Sequence, residues 1–309
     1  MQTKTYYKYA QDVIGGKVVS GKFIQLAAER FFSMMEDDRY EFKEEKADEV
    51  IEFFSILRHF TGRHAGKLFI LQPWQQFVIA AIYGFYIKET DERLVKYVYI
   101  EIARKNGKTA FAAGLSLYHL IADGEMDAEV DLAANSKEQA KIAFKFCSQF
   151  AKGIDPKGKD LVSYRDKVKF EKMLSLLQVF AADDSKLDGF NASMYLIDEY
   201  HAAKNTGLKD VLQSSQGMRD NPMAVIITTA GFDKLGPCYQ YREMCTEVLS
   251  GLKENDALFA AIFSPDEGDD WKDPETWQKS NPNLGVTVKP QYLQTQVQSA
   301  VKAPSEEVG

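Results

Sequence analysis

One segment combines the residue types that bind a chain of phosphates. Residues 103–109 read Ala-Arg-Lys-Asn-Gly-Lys-Thr, between a predicted strand and a predicted helix. Backbone N–H groups at a helix start point toward an anion, and the helix dipole favours its negative charge. There, Lys108 can neutralise the β- and γ-phosphates, the Thr109 hydroxyl can ligate Mg²⁺, and Gly107 lets the backbone approach closely. The segment therefore predicts a phosphate-binding loop.

This loop departs from the common pattern G-x-x-x-x-G-K-[ST], because Ile102 occupies the position of the first glycine. A helix start with a surface lysine is the alternative interpretation of a lone Gly-Lys-Thr. The apolar segments on both sides favour the phosphate interpretation. The predicted nucleotide contacts in the loop are Arg104, Lys105, Asn106, Gly107, Lys108 and Thr109. Arg104 could also act as a catalytic residue on the γ-phosphate of its own subunit.

Two carboxylates follow a later apolar strand, because residues 194–197 run directly into Asp198 and Glu199. In P-loop enzymes the first acid holds Mg²⁺ and the second polarises the attacking water as a general base. A polar turn after a strand is the alternative for the acidic pair alone. Its position about 90 residues after the loop suits ATPases in which further strands intervene. We expect loop and acids on adjoining strand ends of one sheet.

Two further segments could complete a nucleotide site. Residues 228–231, Thr-Thr-Ala-Gly, end an apolar strand, and the hydroxyls of Thr228 and Thr229 could sense the γ-phosphate. Upstream, in the segment Leu-Gln-Pro-Trp-Gln, the Gln75 amide could bind the adenine edge and Trp74 could pack on the base. The simpler alternatives are a threonine-rich strand end and a helix that begins at a proline.

With these motifs in order, the sequence resembles the large subunit of a tailed-bacteriophage terminase, a DNA-packaging motor. The resemblance covers nearly the whole chain. It includes the family's adenine motif, variant phosphate loop, Mg²⁺-and-base motif, coupling motif and lid region, at residues 71–75, 103–109, 196–199, 228–231 and 270–285. In this family an arginine enters the phosphate loop and the first glycine is often absent, so the residue at Ile102 supports the resemblance.

The resemblance implies an ATPase that uses ATP and Mg²⁺ to translocate double-stranded DNA into a procapsid. The implied partners are the DNA, the portal protein, the small terminase subunit and further copies of the chain in a ring, usually of five. The implied location is the portal vertex in the host bacterial cytoplasm, and an isolated motor domain could be monomeric. Family members also carry a C-terminal nuclease domain. No later strand bears carboxylates, so we expect no DNA cleavage from this chain.

Ring ATPases of this kind complete each site with an arginine from the next subunit. Arg219 is the first candidate, because it lies just before the strand of the coupling motif, and Arg165 is the second. Lys186 occupies a position where some relatives carry a basic residue. A surface cation is the alternative interpretation of each.

Strand and helix patterns alternate around the motifs. Strands are predicted at 95–102, 129–134, 168–181 (two short ones), 193–197, 223–228 and 257–263, and helices at 109–121, 136–150 and 238–249. This alternation predicts an α/β fold, a P-loop NTPase of the ASCE type with a central, mostly parallel sheet flanked by helices. We expect an N-terminal helical segment at 1–60, an ATPase core at 61–263 and a lid or linker subdomain at 264–309.

Composition excludes several other classes. With 309 residues, 45% hydrophobic residues and a net charge of −7, the chain is neither disordered nor a protein that coats nucleic acid by bulk charge. Its 3 cysteines form no disulfide framework, and no apolar run approaches the roughly 20 residues that cross a bilayer. The histidines lack metal-ligand spacing. His201 follows the acidic pair and could support those acids, but we expect a solvated loop position.

Two other functions are compatible with the motifs. A helicase-like, nucleic-acid-stimulated ATPase outside viral packaging would share the site, although such enzymes normally carry two motor domains and this sequence has one phosphate loop. A scaffold protein with a degenerate nucleotide fold is the other alternative. The intact set of Lys108, Thr109, Asp198 and Glu199 argues against it.

Overall fold

The fold is seen in a computed structural model that describes residues 3–181 and 191–302, so Lys186 lies outside the described residues. The described helices are α1 (Thr5–Ile14), α2 (Lys22–Glu36), α3 (Glu44–Ser55), α4 (Pro73–Tyr83), α5 (Lys108–Ile121), α6 (Lys137–Ile154), α7 (Gly207–Ser215), α8 (Pro237–Leu249), α9 (Pro274–Ser280) and α10 (Pro290–Lys302). The described strands are β1 (Tyr40–Phe42), β2 (Phe85–Ile87), β3 (Tyr97–Glu101), β4 (Glu129–Ala134), β5 (Leu161–Ser163), β6 (Lys167–Phe170), β7 (Ser175–Ala181), β8 (Met194–Asp198), β9 (Met223–Thr228) and β10 (Leu258–Ile262).

Eight strands form one sheet in the order β10-β3-β9-β8-β4-β7-β6-β5. The first six are parallel, and β6 and β5 continue the sheet as antiparallel strands. Every residue of β8, β9 and β10 is buried, which is why these strands read as unbroken apolar runs. The predicted mostly parallel α/β sheet is confirmed. The short strand β5 was not predicted.

The strand order corrects one expectation. The loop follows β3 and the acids follow β8, but β9 lies between these two strands. They are therefore not on adjoining strand ends, because the chain crosses over after β8 and places β9 between β8 and β3. One intervening strand is the arrangement expected of the ASCE type, and the carboxyl ends of all three parallel strands still meet at one edge.

Two helices with different sequence patterns cover the sheet behind the site. Helix α5 is apolar on nearly all sides and packs between the sheet and other helices, as a core helix should. Helix α6 is amphipathic and packs on α5 and on β4–β8. Its predicted N-cap is confirmed, because Ser136 Oγ accepts a hydrogen bond from the Gln139 N–H at 3.3 Å. No helix in the described part of the chain has the length and apolarity to span a membrane.

The N-terminal region joins the same hydrophobic core. Helices α1 and α3 pack against α4, and α2 packs against β10 and α8. The expected helical segment also contains β1, which pairs with β2. Phe31 lies at the centre of an aromatic cluster, with ring centroids 5.4 Å from Phe42 and Phe85 and 5.5 Å from Phe77. The division of the chain into three regions stays a prediction.

A buried ion pair holds the segment before β3 against the neighbouring loops. The Arg93 guanidinium, 2% exposed, donates to Asp123 Oδ1 at 3.0 Å and to the Asn221 carbonyl at 2.6 Å. These contacts join the segments before β3, after α5 and before β9. Burial raises the pKa of Asp123, but the interactions with Arg93 and His119 together outweigh it and hold that pKa well below its usual range. Asp123 is therefore an anion in the folded protein at neutral pH.

We predict that Asp123→Asn lowers the free energy of unfolding by about 3 kcal/mol, because Arg93 is left as an unpaired buried charge. Since the folded pKa is depressed, this contribution is present above the unfolded pKa of about 4 and is lost as the pH falls. Urea unfolding from neutral to acid pH measures it. The control Asp48→Asn, in an exposed pair with Lys4, should change stability by less than about 1 kcal/mol. Equal effects of the two variants would contradict this account.

Candidate functional site

The loop between β3 and α5 has the backbone form of an anion cradle. Lys105 (φ 68°) and Gly107 (φ 80°) both lie in the left-handed region. Such alternation turns successive N–H groups toward one point, as in phosphate-binding nests. Gly107 adopts this conformation without steric penalty and caps the start of α5. The predicted phosphate loop therefore has a suitable backbone at the start of an apolar, buried helix.

The loop and the acidic pair meet at the carboxyl edge of the sheet. The Lys108 side chain is 8% exposed, and its Nζ lies 3.5 Å from Asp198 Oδ1 and forms an ion pair with Glu199 Oε1. Thr109 Oγ1 donates to Asp198 Oδ2 at 2.9 Å. The four residues predicted to carry the chemistry are thus in mutual contact, although their segments are about 90 positions apart in the chain.

The two carboxylates differ in their electrostatic surroundings. Burial raises the pKa of Asp198, and the Lys108 charge only partly opposes this effect. Burial also raises the pKa of Glu199, but there His201 and Lys108 prevail and lower it to about 2. Lys108 therefore holds both acids in place while the phosphate loop presents its N–H groups beside them.

Thr109 and Asp198 form a donor set that fits Mg²⁺. Both offer hard oxygen atoms, and Mg²⁺ is commonly held by one or two carboxylates together with substrate phosphates. In residues 3–181 and 191–302 no group of three or more His, Cys, Asp or Glu side chains could hold a metal ion.

Glu199 has an unusual backbone conformation. It directly follows β8 with φ 56° and ψ 46°, in a region that non-glycine residues seldom occupy. Two hydrogen bonds hold it there. Its N–H donates to Asp198 Oδ1 at 2.8 Å, and its carbonyl accepts from Asn135 Nδ2 at 3.3 Å. Strain of this kind concentrates at functional sites, and here it turns the carboxylate toward Lys108.

A buried network of amides holds the phosphate loop to the segment after α9. Asn106 Nδ2 donates to Asn281 Oδ1 at 2.9 Å, and Asn283 Nδ2 donates to the Asn106 carbonyl at 2.7 Å. Asn283 Oδ1 accepts from Trp74 Nε1 at 2.7 Å. All four side chains are at most 7% exposed. The segment after α9, part of the predicted lid, therefore packs against one side of the loop.

This network corrects two predicted phosphate contacts. The Asn106 side chain faces Asn281 and the Ala103 carbonyl instead of the face where phosphates would bind. The Lys105 ammonium lies 3.8 Å from the centroid of the Tyr292 ring, and the Lys105 carbonyl accepts from Thr287 Oγ1 at 2.7 Å. Both side chains therefore serve the contact with the lid, and only their backbone N–H groups remain suited to phosphate.

The structure also corrects the predicted adenine contacts. The Trp74 ring is 1% exposed and packs edge-on against Phe111 and Phe263, so it offers no free face to a base. Gln75 is 3% exposed, and its Oε1 accepts from the Gln72 N–H at 2.8 Å, which caps α4. The simpler interpretation of this segment, a helix that begins at a proline, describes the structure.

The arginine candidates lie in three different environments. Arg219 lies at the amino edge of the sheet, where it pairs with Glu125 at 2.6 Å and donates to the carbonyls of Asp127 and Asn191. These contacts engage its guanidinium at the edge opposite the acids, so Arg219 does not reach the site of its own subunit. Its expected role at a neighbouring site stays a prediction. Arg104 is exposed on the phosphate loop and has no ion-pair partner among the described residues. Arg165 is exposed between β5 and β6.

His201 connects the acidic pair to the coupling segment, which is the coupling motif at residues 228–231. His201 Nδ1 lies 3.2 Å from Glu199 Oε2, 3.2 Å from Thr228 Oγ1 and 3.3 Å from Thr229 Oγ1. The expected solvated loop position is therefore wrong. Its place directly after the acidic pair was a usable signal, but nothing in the sequence showed that Thr228 would be beside it.

We predict that Asn283→Ala lowers the free energy of unfolding by about 2 kcal/mol, because it leaves the buried Trp74 Nε1–H and Asn106 carbonyl without partners. The matched control Thr287→Val removes only the exposed bond to Lys105 and should lower it by less than about 1 kcal/mol. Denaturant titration compares the two. If both variants were equally stable, the buried network would not be what holds the loop to the lid.

Comparison with known proteins is consistent with this geometry. The family model described as "Terminase large subunit, ATPase domain" matches residues 73–247. Protein YmfN of Escherichia coli (strain K12) is 42% identical over 113 residues, which cover 37% of this chain and 25% of YmfN. The large terminase subunit of Enterobacteria phage HK97 is 23% identical over 270 residues, covering 83% of this chain and 49% of that protein.

A solved structure agrees in fold. The crystal structure of the HK97 bacteriophage large terminase superimposes with a TM-score of 0.72 at 22% identity, covering 85% of this chain and 53% of that one. This chain therefore spans about half the length of the phage terminases that it matches. Because the family model covers more than half of the sequence and includes the phosphate loop, the acids and the coupling segment, the chain belongs to the family of terminase large-subunit ATPase domains.

Proposed function

We propose that this chain is the ATPase motor of a phage terminase, which hydrolyses ATP to move double-stranded DNA into a procapsid. The observation that carries the proposal is the contact of Lys108 and Thr109 with Asp198 and Glu199 at the carboxyl edge of a parallel sheet. Family membership supports the ATPase activity. The proposal also includes Mg²⁺ dependence, the DNA substrate and the packaging partners.

In this mechanism Lys108 exchanges its carboxylate partners for the β- and γ-phosphates, beside the N–H groups of residues 104–109. Mg²⁺, held by Thr109 and Asp198, would supply positive charge to the phosphate oxygens. The departure of Lys108 frees Glu199 to accept a proton from a water molecule. The oxygen of that water bonds to the γ-phosphorus while the bond to the leaving ADP oxygen breaks, which releases phosphate.

We predict that Glu199→Gln lowers kcat for ATP hydrolysis at least about 100-fold, because the amide cannot accept the proton from water. Nucleotide binding should remain, since Lys108 and the loop are intact. Phosphate release and calorimetric titration with Mg²⁺ and ATP measure the two properties. Glu243→Gln, an exposed carboxylate on α8, serves as the control and should leave both unchanged. Normal turnover by Glu199→Gln would refute the base assignment.

A stripe of lysines on α6 supports DNA as a partner. Lys137, Lys141, Lys145 and Lys152 share one face of the helix because their spacings are close to whole turns. None of them forms an ion pair with a described residue. Residues 137–172 contain ten basic and five acidic residues in a chain of net charge −7. We propose that this face, the α6 stripe, contacts the DNA phosphates.

We predict that replacing Lys141, Lys145 and Lys152 together by Gln weakens the salt dependence of duplex binding. The slope of the logarithm of the binding constant against the logarithm of the salt concentration should become less steep by about 1 per lysine. Basal ATP hydrolysis should be unchanged, because these side chains lie outside the nucleotide site. Fluorescence anisotropy with a labelled duplex over a salt series measures the slope. The control carries Gln at Lys22, Lys88 and Lys289, three exposed lysines on other elements. The same loss of slope in the control would show that the stripe has no special role.

The remaining partners follow from the family resemblance. We propose contact with a portal protein and a small terminase subunit, assembly into a ring of five copies, and action in the host bacterial cytoplasm. The Arg219 guanidinium is engaged by Glu125 and by backbone carbonyls, whereas Arg165 is exposed and has no ion-pair partner among the described residues. Arg165 therefore becomes the leading candidate for an arginine that completes a neighbouring site. The expected lack of nuclease activity stays a prediction. Stimulation by DNA without a procapsid requirement would favour the helicase-like alternative.

A further inference from the structure

One imidazole nitrogen lies between the acid proposed as general base and the coupling segment. His201 Nδ1 has three oxygen atoms within 3.3 Å, from the side chains of Glu199, Thr228 and Thr229. Its backbone N–H also donates to Thr228 Oγ1 at 2.9 Å. His201 therefore contacts the end of β9 with both its backbone and its ring, and the same ring reaches the carboxylate.

The hydrogen-bond partners determine which nitrogen carries the proton. The Thr228 hydroxyl already donates to the Thr229 carbonyl at 2.9 Å, so toward Nδ1 it can only accept. The Glu199 carboxylate is also an acceptor. The third neighbour, the Thr229 hydroxyl, can donate or accept. Because two of the three neighbours only accept, the geometry favours the hydrogen on Nδ1. This hydrogen lies toward Thr228 and Thr229, and Nδ1 is 3.2 Å from Glu199 Oε2, a buried carboxylate oxygen that has no hydrogen-bond partner among the described residues. A small rotation of the carboxylate would let Nδ1–H satisfy that oxygen.

The segment after β9 also passes close to the base of the His201 side chain. A Cβ atom at Gly231 would lie 3.1 Å from the His201 Cβ, a tight approach, and 3.7 Å from its Cα, an ordinary contact. A side chain at position 231 would therefore require His201 or the segment after β9 to shift by a few tenths of an ångström, and such a shift would move the ring with its Cβ.

We propose that His201 is a positioning residue, whose Nδ1–H holds the Glu199 carboxylate in register with Thr228 and Thr229. The proposal deepens the function above and rests on Glu199 acting as the base. It makes the orientation of the base depend on the position of the coupling segment. Loss of the Nδ1–H should then slow the chemical step and leave nucleotide affinity nearly intact, because His201 contacts neither the loop nor Lys108.

Two amide substitutions form a matched test. In His201→Asn the side-chain amide nitrogen takes the place of Nδ1, whereas in His201→Gln it takes the place of Nε2. We expect His201→Gln to lower kcat about 10- to 100-fold through misplacement of the base, and His201→Asn to retain most of the activity. KM for ATP should change little in either variant. Thermal unfolding of both checks that the fold is retained.

Two outcomes would overturn the proposal. If His201→Gln turned over as fast as the wild type, the Nδ1–H would be dispensable. If the asparagine and glutamine variants lost kcat equally while both folded, the position of the donor would not matter. A wild-type protein that fails to hydrolyse ATP would instead refute the proposed function, so the two failures are distinguishable.

A second readout does not depend on turnover. In ¹⁵N spectra of the uniformly labelled wild-type protein, assigned by the loss of one imidazole in His201→Asn, we expect the Nδ1–H tautomer at His201. Gly231→Ala should perturb this signal and lower kcat, because the added methyl group crowds the ring. An Nε2–H tautomer in the wild-type protein would contradict the assigned donor.

Discussion

A cationic side chain held between two carboxylates organises the carboxyl edge of this sheet. Lys108 is almost fully buried, and a buried ammonium is stable only where opposite charges accompany it. Asp198 and Glu199 supply those charges from the end of β8, which is separated from β3 by one strand. The intervening β9 brings the coupling segment into the same place. The position of every other group at the site follows from this arrangement of strand ends.

The amino and carboxyl edges of the sheet differ in the side-chain contacts that hold their loops. At the amino edge, Arg93 and Arg219 bind several backbone carbonyls and carboxylates and lock adjacent loops together. At the carboxyl edge, Lys105 and Glu199 have left-handed backbones, and the loop is held from outside by the lid amides. Left-handed backbones also occur at Asp127 and Leu174, which precede β4 and β7 at the amino edge. The two edges therefore differ in their side-chain contacts and not in backbone strain.

Part of this site could be predicted from the sequence for a clear reason. Buried parallel strands are continuous apolar runs, so β4, β8 and β9 and the polar residues that end them stand out. The failures have an equally physical cause. Trp74 was predicted to pack on the base, because nothing near it in the chain indicates its partner Asn283, 209 positions away. In the same way, nothing near Arg219 indicates its ion pair with Glu125, 94 positions away. Side-chain partners so distant leave no local pattern.

The central claim is that a triphosphate binds between residues 104–109 and the acids, and that it takes Lys108 away from Glu199. A crystal structure with a non-hydrolysable ATP analogue and Mg²⁺ tests this most directly. We expect the Lys108 ammonium on the β- and γ-phosphates, and the metal between Thr109 and Asp198. A nucleotide bound elsewhere, or a Lys108 still paired with Glu199 while the phosphates occupy the loop, would contradict the account.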